Sequence, residues 1–135
     1  MRLIEHQQPM AVVRLPAGTP APPWAHGGPL VTVSHTEDET SVLCPTSSVP
    51  DEVPGPVEGP FVVFRVAGTL DFTQVGVLTS LLRPLADAGV PVVVVSTFDT
   101  DWILVRSHLV AASTSVWRAA GHDIVPVKQE QETTV

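Results

Sequence analysis

Two short stretches in the second half of the chain hold the residue types that could take hold of a small molecule. The first, Gly68-Thr69-Leu70-Asp71-Phe72-Thr73-Gln74-Val75-Gly76, reads as a loop running into the start of a helix. A helix start leaves backbone amides without carbonyl partners, and those amides suit an anionic group. The second, Ser96-Thr97-Phe98-Asp99-Thr100-Asp101, sets hydroxyls and carboxylates beside one aromatic ring. Amides for a carboxylate, together with a carboxylate for an ammonium, fit a free amino acid. The same residues have plain structural uses as well: Asp71 as a helix cap, Gly76 as a point of close helix packing, Asp99 as a turn former.

Other chemistries find less support. His6, His26, His35, His108 and His122 show no paired ligand spacing and Cys44 has no ligand beside it, so neither a metal nor a cofactor is expected. Cys44 precedes Pro45 and reads as an inert thiol at the end of a buried strand. No phosphate-cradling glycine motif occurs. An enzyme would have to work with Asp99 or Asp101 and His108, without a nucleophile paired to a base, and the expectation is that the chain is not one.

The elements that must position these residues follow from the hydrophobic pattern. Phe61 to Val66 is a strand, and Val75 to Ala88 places Val77, Leu78, Leu81, Leu82 and Leu85 at helical spacing, with Asp71 or Thr73 to cap it, Pro84 to kink it and Gly89 to stop it. Val90 to Thr97 and Asp101 to Arg106 are two further strands around a tight polar turn. Ser107 then caps a helix through Ala120, with Leu109, Ala112, Val116 and Ala119 on one face, and Asp123 to Val127 is a last strand. Strand, helix, strand, strand, helix, strand is the split βαβ or ferredoxin-like order, an α+β fold with a four-stranded antiparallel sheet and two helices on one face.

Upstream lies a smaller part: a strand at Met10 to Leu15, a Pro/Gly-rich turn around Trp24, and a hairpin of Leu30 to His35 with Thr40 to Cys44. Pro45 to Pro60 holds five prolines and reads as a linker, with room for a short turn near Thr46 to Val49. The expected division is residues 1–59 for the smaller part and linker, 60–127 for the complete unit and 128–135 for a polar tail.

Composition sets the limits. The chain has 135 residues, 44% of them hydrophobic and 16% charged, which is enough apolar material for a core. Seven basic against 14 acidic residues give a formal charge of −7, a field that repels nucleic acid and acidic membranes. One cysteine allows no internal disulfide, and no stretch is long and apolar enough for a membrane span, so a cytoplasmic protein is expected.

The blocks Gly68 to Val105, Val33 to Pro45 and Pro22 to Ala25 resemble the ACT-domain family of regulatory amino-acid-binding modules. The resemblance is strongest to the ACT-like branch that holds the CASTOR-type arginine sensors and short bacterial relatives, and STFDTDWILV is its most specific block. It implies two tandem ACT-like subdomains, the first abbreviated. It also implies a ligand held between two complete ACT units, through the backbone near Val75 and Gly76, the strand end Ser96, Thr97 and Phe98, and the carboxylate of Asp101. Only one complete unit is present, so the resemblance implies a homodimer and an amino-acid sensor that regulates a partner protein. The stretch Val77 to Ser80 lacks the acidic residue of the arginine sensors, which does not favour arginine. The alternative is a ligand-independent module that docks a partner through an exposed sheet edge or face.

Overall fold

In chain order the elements are β1 (Arg2–Pro16), β2 (Thr32–His35), β3 (Glu39–Pro45), β4 (Val57–Val66), α1 (Val77–Asp87), β5 (Val93–Ser96), β6 (Asp101–Arg106), α2 (Val110–Ala119) and β7 (Asp123–Pro126). The computed structural model describes residues 1–67 and 76–127. From β4 onward this is the βαββαβ order of a ferredoxin-like α+β fold. Two compact units divide the chain: one joins Met1–Gln7 to Val62–Val135, and the other is Gln8–Phe61. β1 and β4 each contribute to both.

In the unit that holds residues 62–127, β4, β6 and β5 lie side by side, and β5 pairs with β6 in antiparallel register from Val93↔Leu104 to Ser96↔Asp101. The sheet departs from the expected four strands. The first residues of β1 belong to it, paired in parallel with β7 from Arg2↔Asp123 to Glu5↔Pro126, and Ala67 N–H donates to Arg2 O at 2.9 Å. Leu3 and Ile4 explain the placement, since both are fully buried, and Leu3 joins the main core. Polar neighbours and Pro9 break the alternation that would otherwise have marked Arg2 to Gln7 as strand.

That core sets Phe64 and Val66 of β4 and Ile103 and Val105 of β6 against Leu81 and Leu85 of α1 and Trp117 of α2. The α1 face is the expected one. The α2 face is not: Ser113, Thr114 and Trp117 are buried, whereas Ala112 and Ala119 are exposed and Leu109 and Val116 only partly covered. Two hydroxyls can take core positions because each is satisfied within its own helix, Ser113 Oγ donating to Leu109 O at 2.8 Å and Thr114 Oγ1 to Ala111 O at 3.2 Å. Trp117 then sits edge-on against Phe64, with ring centroids 4.9 Å apart. Ser107 heads a short 3-10 turn, Ser107–Leu109, rather than the α-helix itself.

Pro84 lies inside α1, where it has no N–H for the carbonyl four residues back, that of Ser80. Another chain segment fills the role. His122 Nε2 lies 3.0 Å from Ser80 O, and Trp117 Nε1 donates to Leu81 O at 2.8 Å. Since a carbonyl only accepts, His122 carries its proton on Nε2, and Nδ1 accepts from the Met1 amino group at 3.0 Å.

In the other unit, β1 pairs antiparallel with β3 from Met10↔Pro45 to Pro16↔Glu39, and β3 pairs with β2 as the expected hairpin. Val13, Leu15, Val42 and Cys44 are its buried cluster, with Trp24, Val31 and Val33 packed on them. Burial pushes the Cys44 thiol pKa up, which keeps it protonated. The proline-rich segment is no free connector. Thr46–Ser48 forms the short turn, Val49 and Val53 pack on the cluster, Arg14 N–H donates to Pro56 O at 3.1 Å, and β4 begins at Val57 rather than Phe61. Proline excludes helix and central strand, yet an edge-running chain can still pack by side-chain contact and carbonyl acceptors.

Candidate functional site

Four of the six expected ligand residues, Ser96, Thr97, Phe98 and Asp101, meet on the β5–β6 hairpin. The register pairs Ser96 with Asp101, and between them Thr97 to Thr100 make a four-residue turn. Threonine at both ends closes it: Thr97 N–H donates to Thr100 O at 2.8 Å, Thr100 N–H donates to Thr97 Oγ1 at 3.2 Å, and the two hydroxyls are in direct contact. Trp102 anchors the base, buried and donating from Nε1 to Thr100 Oγ1 at 2.7 Å, with its ring 5.4 Å from that of His6. The turn is therefore fixed by hydrogen bonds and by a buried indole.

The carboxylate and the aromatic ring have different surroundings. Ser96 Oγ donates to Asp101 Oδ1 at 2.5 Å, which holds the half-buried carboxylate in place and leaves it further acceptor capacity. Phe98 stands at the tip with 78% of its surface exposed. A large apolar ring that open to water gains free energy when anything covers it, by about 25 cal/mol per Å2.

Gly76 occupies the N-cap position of α1, and its φ of +79° lies in the left-handed region that favours glycine. A Cβ there would meet nothing within 4 Å, so conformation rather than close packing calls for glycine. Among the described residues no side chain caps the helix and no acidic residue lies in its first turn; Ser80 N–H donates to Gly76 O at 3.0 Å. Val75 and the expected caps Asp71 and Thr73 lie outside the described residues. Thus the hairpin residues are brought together, while Gly76 sits exposed at the head of a helix in the same unit. The contribution of Trp102 was missed by sequence reasoning: the core takes Ile103 and Val105, so Trp102 lies on the other face of β6, and the unbroken apolar run of DWILVR does not single that face out.

No group of three or more histidine, cysteine or acidic residues among the described residues is arranged to hold a metal ion. No helix among them is long and apolar enough to cross a membrane.

A family model described as an ACT domain matches residues 57–115, and a model for an N-terminal domain matches residues 9–52. A protein of solved structure from Agobacterium tumefaciens is 32% identical across 93% of this chain and 92% of that one, with a TM-score of 0.84. This chain belongs to the ACT-domain family. Two more distant ACT-like neighbours share the fold. The regulatory subunit of aspartate kinase from Thermus flavus is 7% identical, covering 87% of this chain and 95% of that one, with a TM-score of 0.60. Aspartokinase alpha and beta subunits are 14% identical, covering 89% of this chain and 97% of that one, with a TM-score of 0.58. No functionally curated protein matches the chain in sequence.

Proposed function

We propose that this ACT-domain protein is a regulatory module without catalysis of its own, which binds a free amino acid or a similar small molecule. The ligand would lie between the head of α1, near Val75 and Gly76, and the hairpin residues Ser96, Thr97, Phe98 and Asp101. A second copy of the chain would complete the site, and a regulated protein would read its occupancy. One observation carries the proposal: a carboxylate preset by Ser96 directly follows the rigid turn that exposes Phe98. Preset geometry lowers the ordering cost of binding, and the ring offers apolar cover to a ligand whose ammonium reaches Asp101. Neighbours described as regulatory subunits support the regulatory class.

Asp101→Asn tests the site. Asparagine keeps an oxygen for the Ser96 hydroxyl and loses the charge, so the fold should hold while calorimetric affinity for the amino acid falls by about 1.5–3 kcal/mol, the worth of a hydrogen bond to a charged group. Unchanged affinity would remove Asp101 from the site. A second reading, docking without a ligand, is favoured by β5 itself. That strand ends the β4, β6, β5 order and exposes Val93 at 41% and Val94 at 37%, an open edge ready to pair. A partner captured equally well with and without amino acids would favour it.

A further inference from the structure

The two faces of β6 serve the hairpin differently. Ile103 and Val105 share a core with Leu81 and Leu85 of α1 and Trp117 of α2, so by strand alternation Asp101 lies on the helix side of the sheet and Trp102 on the opposite side. Trp102 therefore cannot touch a molecule held between Asp101 and the head of α1. It nevertheless reaches the turn. Its indole N–H donates to Thr100 Oγ1 at 2.7 Å; that hydroxyl is in direct contact with the hydroxyl of Thr97, which accepts from Thr100 N–H at 3.2 Å. The indole itself is fixed. Only 6% of Trp102 is exposed, and the His6 ring of β1 lies beside it, with centroids 5.4 Å apart and planes at 40°. An indole N–H only donates, so the bond commits Thr100 Oγ1 as an acceptor and selects the rotamer of the residue next to Asp101. Rotamer and backbone dihedrals are coupled, so the turn is held as well.

We infer that Trp102 is the positioning residue of the hairpin site: acting from the far face through Thr100, it holds the Thr97 to Thr100 turn in the form that presents Phe98 and the Asp101 carboxylate together. The inference rests on the binding function proposed above, and it adds a residue that sets affinity without meeting the ligand. Losing the indole bond leaves Asp101 its charge and Ser96 its bond to that carboxylate, but the turn is then free to adopt other forms. Binding must order it again, and affinity falls by that cost. The plain alternative is that Trp102 only fills its face of the sheet. Phenylalanine separates the two, since it keeps an aromatic body and lacks the N–H.

Amide hydrogen exchange followed by NMR on the intact, unliganded protein tests the hold on the turn, and calorimetry with the proteinogenic amino acids tests its effect on the site. Trp102→Phe should speed exchange at the Thr97 and Thr100 amides by about threefold to tenfold, the worth of one hydrogen bond, and weaken amino-acid binding by a similar factor. Thr100→Val, which removes the acceptor and keeps the shape, should do the same. Thr100→Ser should keep both readouts near the parent, and Trp102→Phe should add nothing in the Thr100→Val background. Trp117→Phe is the control. It deletes the indole donor to Leu81 O at 2.8 Å in the core of the same unit, so it should lower the melting temperature and leave both readouts at the parent level. The inference is overturned if exchange at the two amides is unchanged in Trp102→Phe, if affinity survives that change, or if Trp117→Phe lowers affinity as much. A parent that binds none of the amino acids, with exchange still faster in Trp102→Phe, contradicts the amino-acid reading alone and upholds the hold of Trp102 on the turn.

Discussion

Gly55 shows how a single residue can hold a segment that composition alone marks as a spacer. A Cβ at Gly55 would stand 1.8 Å from the carbonyl oxygen of Arg14, a backbone atom within a paired strand that has no room to move. Gly55→Ala should therefore lower stability by about 1–3 kcal/mol or more, the range for overpacking, seen as an earlier urea midpoint with little change in slope. Gly76→Val acts by another route. Its surroundings are open, so the cost is the left-handed backbone, about 1–3 kcal/mol, and thermal unfolding should show it with or without a ligand. At this scale the sequence was informative where chemistry and conformation coincide. Ser96, Thr97, Phe98 and Asp101 were legible as one cluster because a short polar turn between two apolar runs must bring its ends together. The packing of Gly55 was not legible, because close approach is made with residues far away in the chain.

The helices and strands show where periodicity suffices and where it misleads. α1 buries the face its leucines predict, and β6 spans the residues read from DWILVR. α2 turns a different face inward, since counting only apolar side chains passes over Ser113 and Thr114, whose hydroxyls bond to their own helix, and over Trp117. The first residues of β1 escaped notice because polar neighbours surround Leu3 and Ile4, which pair with a strand at the far end of the sequence. Two consequences can be measured. His122→Ala removes the donor to the Ser80 carbonyl that Pro84 leaves open, and should cost about 0.5–1.5 kcal/mol, the net worth of one hydrogen bond to a residue that water can reach. Limited digestion with a broad-specificity protease should leave Pro45 to Pro60 intact while the fold persists, given the contacts of Val49, Val53 and Pro56. Early cutting inside that segment would mean that these contacts open readily.

For the molecule as a whole, the α+β class and the ACT-like βαββαβ order were legible from a sequence of strand and helix periods. The sharing of β1 between two units was not, because strand pairing across more than a hundred residues leaves no local mark. The proposed function adds a requirement at this scale: a site completed by a second copy demands self-association, so sedimentation at micromolar concentration should give about twice 14.3 kDa. With a formal charge of −7 on each chain, association should strengthen as salt rises. The central claim is that the hairpin and the head of α1 receive an amino acid, and a thermal-shift screen of the free amino acids, run on the parent and on Asp101→Asn, tests it most directly. Binding to the folded state alone adds about 2.7 kcal/mol at a hundredfold excess over Kd, a rise of several degrees. The account predicts such a rise for at least one amino acid in the parent and its loss in Asp101→Asn; a flat screen, or a rise of equal size in both proteins, would contradict it.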